Sequence, residues 1–258
     1  MWRWVGPHWE RRRRGESHPV LDFLFEYYRF RPSQLLRWEP PRPGPLPVTR
    51  ERAARWILEL LERTAQRPPQ FGCFGLHEWA MLYRATARRH PNWPLRLSWA
   101  EIDRVVEEVG LACTHFDAYR FFTPSAAVRN RWCLTRAQQE TFEQPGCVHA
   151  TMDLYKWAYT FWPWTGSDLV ADAFELAVAA REVDMRASPY DLRGLGYEPI
   201  PVETEAGRVL YAQHQRELWQ RAQPVRARLI ARYRELLGAS ANRPDAVGAP
   251  GRAVSAPV

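Results

Sequence analysis

Apolar positions recur with a helical rhythm along most of the 258-residue chain, and one stretch breaks the usual rule for where polar residues go. Residues 146–164 read GCVHATMDLYKWAYTFWPW and lie between Pro145 and Pro163, each of which stops a helix. At 100° per residue, His149, Thr160, Asp153 and Lys156 fall inside an arc of roughly 60°. Met152, Leu154, Tyr155, Trp157, Ala158, Tyr159, Phe161 and Trp162 cover most of the remaining surface. A surface helix has a broad polar face and a narrower apolar one, so this inverted pattern predicts a polar stripe that faces a cleft or a buried network. Residues 17–29 repeat the pattern: His18, Asp22, Glu26 and Arg29 gather on one side of a predicted helix capped by Ser17, with Pro19 in its first turn. The two narrow stripes are expected to face each other.

The rest of the chain reads as helices separated by breakers. Residues 1–16 predict an irregular basic leader, and the proline-rich 38–47 a loop. Thr49 caps a predicted amphipathic helix to Gln66, with Trp56, Leu60 and Leu61 inward. A helix is expected over 74–90, with His77, Arg84 and Arg88 on one side and Glu78 pointing elsewhere. Ser98 and Glu101 form a capping-box pattern before a helix that ends at Gly110. Residues 112–123 predict a short extended piece or loop, which as a strand puts His115, Asp117 and Tyr119 on one face. A short helix over 135–143 and a long one over 167–186 follow, then a turn-rich segment over 188–204. Two helices, 205–221 and 225–237, are expected to divide at Pro224. Residues 239–258, poor in bulky apolar groups, predict a disordered tail. The fold expected is mainly α: a single helical domain over 17–238, of about seven to nine helices with irregular Pro-rich loops.

Composition narrows the function only a little. Net charge is +7 with a pI near 9.5, which permits attraction to DNA or other anions. Lys156 is the only lysine in a chain that otherwise uses arginine. Thirteen tryptophans predict either a bulky core or an aromatic-lined pocket. Cys73, Cys113, Cys133 and Cys147 form no CxxC pair, which argues against a zinc ribbon or thioredoxin-type motif and predicts reduced thiols in a cytoplasmic protein. No apolar signal core opens the chain and no run of about 18 apolar residues occurs, so no membrane span is expected.

Three constellations carry chemistry. In His149/Asp153/Lys156, Asp153 would orient His149 one turn away while Lys156 keeps the carboxylate charged. Such a carboxylate serves as a base or stabilises a developing cation; the same residues also suit a buried structural ion pair. His18/Asp22/Glu26 at one-turn spacing can ligate iron or manganese, with His77, Glu78, His115 and Asp117 completing a site. The widest candidate metal set is therefore His18, Asp22, His77, Glu78, His115, Asp117, His149 and Asp153. Asp184/Arg186 with Asp191 reads as structural.

Three blocks carry a family resemblance: HPVLDFLFEYYRFRPSQLLRW, FGCFGLHEWAMLYR, and EQPGCVHATMDLYKWAY with VDMRASPYDL behind it. Together they resemble a bacterial family commonly labelled 3-methyladenine DNA glycosylase, over most of residues 17–235. The resemblance implies a DNA repair hydrolase that releases alkylated purines by N-glycosidic hydrolysis, with DNA as its partner and no cofactor. That chemistry needs an aromatic pocket and a carboxylate beside the sugar. Asp153, with Lys156 and His149 as partners, supplies the carboxylate, and Tyr155, Trp157 and Tyr159 supply rings. The alternatives are a helical oxidase-like enzyme dependent on iron or manganese, and a non-enzymatic binding protein.

Overall fold

The computed structural model of the protein describes residues 1–241. Its longer helices are α1 (Trp2–Arg13), α2 (Leu21–Glu26), α3 (Val48–Gln66), α4 (Trp99–Val109), α5 (Val148–Thr160), α6 (Ser167–Arg186) and α7 (Glu205–Ala241). Single helical turns lie at Pro32–Leu35, His77–Ala80, Phe116–Tyr119, Pro124–Ala127 and Gln139–Phe142. Among the described residues the only β pairing is two isolated bridges, Leu95 with Tyr190 and Leu111 with Asn130. The mainly α expectation holds.

α5 sits at the centre. It packs along α6 and against α7, while α7 also lies on α3 and α6. Met152, Leu154, Tyr155 and Ala158 of α5 are buried, which explains its inverted pattern: the apolar majority meets neighbouring helices, not water.

Several elements depart from the sequence reading. Residues 1–16 were expected to be irregular, yet Trp2–Arg13 form a helix whose Val5 and His8 are buried and which packs on α2 and Pro32–Leu35. Val5 and His8 are three apart and seat one face of α1 on the core. α2 is shorter than the expected 17–29 and is not capped by Ser17. His18 Nδ1 instead accepts from the N–H groups of Val20 and Leu21, and the His18 N–H donates to Asp22 Oδ2. The expected helix over 74–90 shrinks to His77–Ala80, because Phe74, Gly75 and Arg84 adopt φ of 47°, 67° and 52°. A Cβ on Gly75 would stand 3.0 Å from the Tyr211 ring of α7, so that turn needs glycine both for its backbone and for the close approach.

Pro224 does not divide the last helix; α7 runs through it. Leu218 and Ala222 before it, and Leu229, Tyr233 and Leu236 after it, are all buried. One continuous apolar face on both sides outweighs the local cost of the proline. Residues 239–241 of the expected disordered tail continue α7, and 242–258 lie outside the described residues. The capping box at Ser98 and the stop at Gly110 are as read, as are the bounds of α6.

Candidate metal centre

α5, α6 and the two short turns at His77 and His115 converge on one cavity of about 470 Å³, closed on its far side by α2. Of the predicted residues, His18, Asp22, Glu26, His77, Glu78, His115, Asp117, His149 and Asp153 all line it. The polar stripes of α2 and α5 therefore do meet across a shared space.

At its floor stand His77 and His149, with Asp184 enclosed behind them. One donor atom from each lies within 4.8 Å of the other two. Asp184 Oδ1 is 3.7 Å from His77 Nδ1 and 3.9 Å from His149 Nε2, and the two rings are 4.3 Å apart, edge to face. The histidine side chains are 10% and 12% exposed and Asp184 is fully enclosed. Yet His77 Nδ1, His149 Nε2 and Asp184 Oδ1 have no hydrogen-bond partner among the described residues. Orphaned buried polar atoms are rare and cost about 1–3 kcal/mol each, so three that converge need an explanation.

The surroundings hold these groups in place. Arg181, one turn before Asp184 on α6, reaches Asp184 Oδ2 at 2.5 Å and Glu78 Oε1 at 2.8 Å. One guanidinium thus serves two buried carboxylates and leaves Asp184 Oδ1 free. Burial alone would raise the Glu78 carboxyl, but the Arg181 charge holds it well below its ordinary value. Burial lowers His149 to about 3, so its ring is neutral and its lone pair available. Two imidazoles, one carboxylate and open positions toward a cavity are a donor set that suits iron or manganese.

Beside this floor lies a second group. Tyr28 Oη donates to Asp153 Oδ1 at 2.9 Å. His115 Nε2 lies 3.3 Å from Asp153 Oδ2 and 3.5 Å from Glu143 Oε2. Lys156 Nζ bonds Asp117 Oδ2 at 2.9 Å and stands 3.7 Å from Asp153 Oδ2. Burial opposes the Asp153 charge, but Lys156, His115 and Tyr28 together hold the carboxyl well below the ordinary range. Burial likewise opposes the charged form of His115, and its contacts with Asp153 and Glu143 raise it above the usual value.

Some expected roles change with these positions. Asp153 does not orient His149; its partners are Tyr28, His115 and Lys156, and His149 turns to Asp184. His18 is not available as a ligand through Nδ1, which caps α2, while its Nε2 lies 3.4 Å from Tyr197 Oη. Asp22 is taken up by the His18 N–H and by His8, 3.3 Å away. Asp117 is surrounded by Lys156, Arg136 and Arg120. Tyr155, Trp157 and Tyr159 do not line the cavity; they pack with Tyr28, Trp56, Phe30 and Phe174. The aromatic rings of Phe23, Tyr27, Tyr28, Trp93 and Phe121 line it instead.

Asp184, read from sequence as structural together with Arg186 and Asp191, instead stands against His77 and His149 behind the floor. Arg186 bonds the Glu198 carbonyl and Asp191 pairs with Arg193. Arg181, Tyr28, His90 and Glu143 were not singled out at all. The spacing of Arg181 and Asp184, three apart on a helix otherwise apolar on that side, is the signal that would have found them. Comparison of the chain with protein-family models, with curated proteins and with solved structures returns no match.

Proposed function

We propose that the protein is a metal-dependent enzyme in which His77, His149 and Asp184 hold an iron or manganese ion at the floor of the cavity. The observation that carries this reading is the convergence of three buried donor atoms with no partner. The ion would supply a Lewis acid with positions open to substrate and, for iron or manganese, redox chemistry. The chain's own residues do the rest. Arg181 fixes the Asp184 carboxylate and keeps it charged. Neutral His149 presents a lone pair, and His77 a second ring nitrogen beside it. Phe23, Tyr27 and Phe121 give the substrate an apolar wall, and Asp153 at its side is a charged acceptor of hydrogen bonds, from Tyr28 Oη and from a bound molecule. No helix among the described residues is long and apolar enough to cross a membrane, and the substrate this cavity suits is a small organic molecule.

A second reading follows the family resemblance: release of alkylated bases from DNA, with Asp153 as the carboxylate. It draws on the position of Asp153 in the cavity wall, on the Phe23 and Tyr27 rings stacked at 4.9 Å, and on exposed Arg12 and Arg89 among the lining residues. Elemental analysis of the purified protein beside a base-release assay on methylated duplex DNA separates the two. Bound iron or manganese, lost in His77→Ala and Asp184→Ala, supports the metal enzyme. Base release that survives chelator and is lost in Asp153→Asn supports the glycosylase and overturns it.

A further inference from the structure

The cavity has an unbalanced cation at its mouth. Each carboxylate that lines it already has a basic side chain within 3.3 Å. Of the three arginines in the lining, Arg181 is taken up by Glu78 and Asp184, and Arg12 pairs with Glu26 at 3.1 Å. Arg89 is exposed and has no carboxylate partner among the described residues. We infer that Arg89 anchors the carboxylate of a small aromatic or apolar organic acid whose body lies in the cavity; this rests on the reading of the cavity as the substrate site of a metal enzyme.

The wall that carries Arg89 is fixed. Residues 89–93 all line the cavity. Around them Arg88 donates to the Trp93 carbonyl at 2.8 Å, the His90 N–H to Tyr190 Oη at 3.1 Å, and Asn92 Nδ2 to Ser17 Oγ at 2.7 Å. His90 Nε2 also lies 3.2 Å from Glu78 Oε2. The backbone is thus tied down while the guanidinium stays free, so binding has little more than one side chain to order. That guanidinium lies 5.4 Å from the centre of the Phe121 ring, a contact that places it without using its N–H donors. From Phe121 a row of rings leads inward. Tyr27 is 6.3 Å away, Phe23 stacks on Tyr27 at 4.9 Å, and the Arg181 guanidinium lies 4.2 Å over Phe23. Arg181 in turn bonds Asp184, beside His77 and His149. A planar body laid along this row points from Arg89 toward the candidate ligands. One guanidinium balances one unit of charge, and its flat fork matches the two oxygens of a carboxylate. A phosphate monoester carries more charge than that.

The test is calorimetric titration of the full chain, chelated and Mn(II)-loaded, with benzoate, benzyl alcohol and inorganic phosphate. Benzoate should bind both forms, and the other two about tenfold more weakly or less, the scale of one charged hydrogen-bonded contact. Arg89→Gln should cost benzoate about tenfold in the chelated protein, where no ion can hold the carboxylate instead. Arg89→Lys should cost less, and Arg13→Gln nothing, since Arg13 is an exposed cation of α1 outside the lining. Benzoate affinity unmoved by Arg89→Gln, no benzoate binding by wild type, or phosphate held as tightly as benzoate overturns the assignment, whether or not metal is bound. Arg89-dependent benzoate binding by a chain that takes up no Mn(II) keeps the assignment and overturns the metal reading alone.

Discussion

Asp184→Asn separates a metal ligand from a structural ion pair. In the folded protein Oδ2 of Asp184 is bonded by Arg181 and Oδ1 has no partner. An asparagine keeps one oxygen for Arg181 and turns its amide toward His77 and His149, whose nitrogens lie 3.7 and 3.9 Å from Oδ1. Arg181 retains Glu78 at 2.8 Å, so its charge stays paired. Metal-free Asp184→Asn should therefore lie within about 1 kcal/mol of wild type, the scale of one ordinary hydrogen bond. The difference should appear when metal is added. Mn(II) at 100 times its dissociation constant stabilises a binding protein by about 2.7 kcal/mol, roughly 5–11 °C in Tm for a domain near this size. The assay is thermal unfolding of both proteins, chelated and with a Mn(II) titration. Wild type should gain that increment and the variant none. The reasoning is refuted if Mn(II) leaves wild type unmoved, or if both proteins gain alike. A metal-free variant that loses about 3–5 kcal/mol would instead mark the Arg181–Asp184 contact as structural.

Pro224→Ala should stabilise the protein by up to about 3 kcal/mol, since α7 continues through that position and proline is the costliest residue in a helix interior; an unchanged or lower urea midpoint would show that α7 bends there to advantage. Gly75→Ala should cost about 1–3 kcal/mol and weaken Mn(II) binding together, because φ of 67° and the Tyr211 ring both reject a side chain two residues before His77; wild-type Tm with wild-type metal uptake would contradict it. Burial, aided by Arg11, lowers His18 to about 4, and burial lowers His149 to about 3. The unfolded chain thus binds more protons than the native one between about pH 6.5 and 4. Stability of the chelated protein should fall as pH drops through that window, opposed by His115, Glu143 and Glu182, whose raised values work the other way. In His18→Gln the fall should be shallower, measured by urea unfolding at each pH; a slope identical to wild type would remove His18 from the account.

The parts of the fold that depend on local chemistry were legible. The Ser98 box, the Gly110 stop and the bounds of α6 follow from capping and periodicity that act within one turn. The inverted stripe of α5 correctly pointed to a polar cavity, because a polar minority on a helix enclosed by α6 and α7 has nowhere else to go. What failed depends on distant partners. α7 crosses Pro224 because it packs on α3, α5 and α6 and its residues on both sides of the proline are buried. The 74–90 segment is bent by a glycine whose need is set by Tyr211, well over a hundred residues later. Within the site, spacing along one helix paired Asp153 with His149, whereas packing gave Asp153 to Tyr28 and His115 and gave His149 to Asp184. Residues one turn apart share a face, but which neighbour each meets is decided by the helix opposite.

The solitary lysine has a practical consequence. Among side chains, only Lys156 offers an amine, and its ammonium is wedged between Asp117 and Asp153 with a quarter of the side chain exposed. Burial opposes its charge, but the two carboxylates hold it protonated to a pH well above the ordinary lysine range. An acylating reagent needs the free base, so the folded cluster shields this nitrogen twice, by charge and by enclosure. Each side-chain acylation event would then record one opening of the wall between α5 and the Asp117 turn. A one-site mass increment against time would read how often that wall opens.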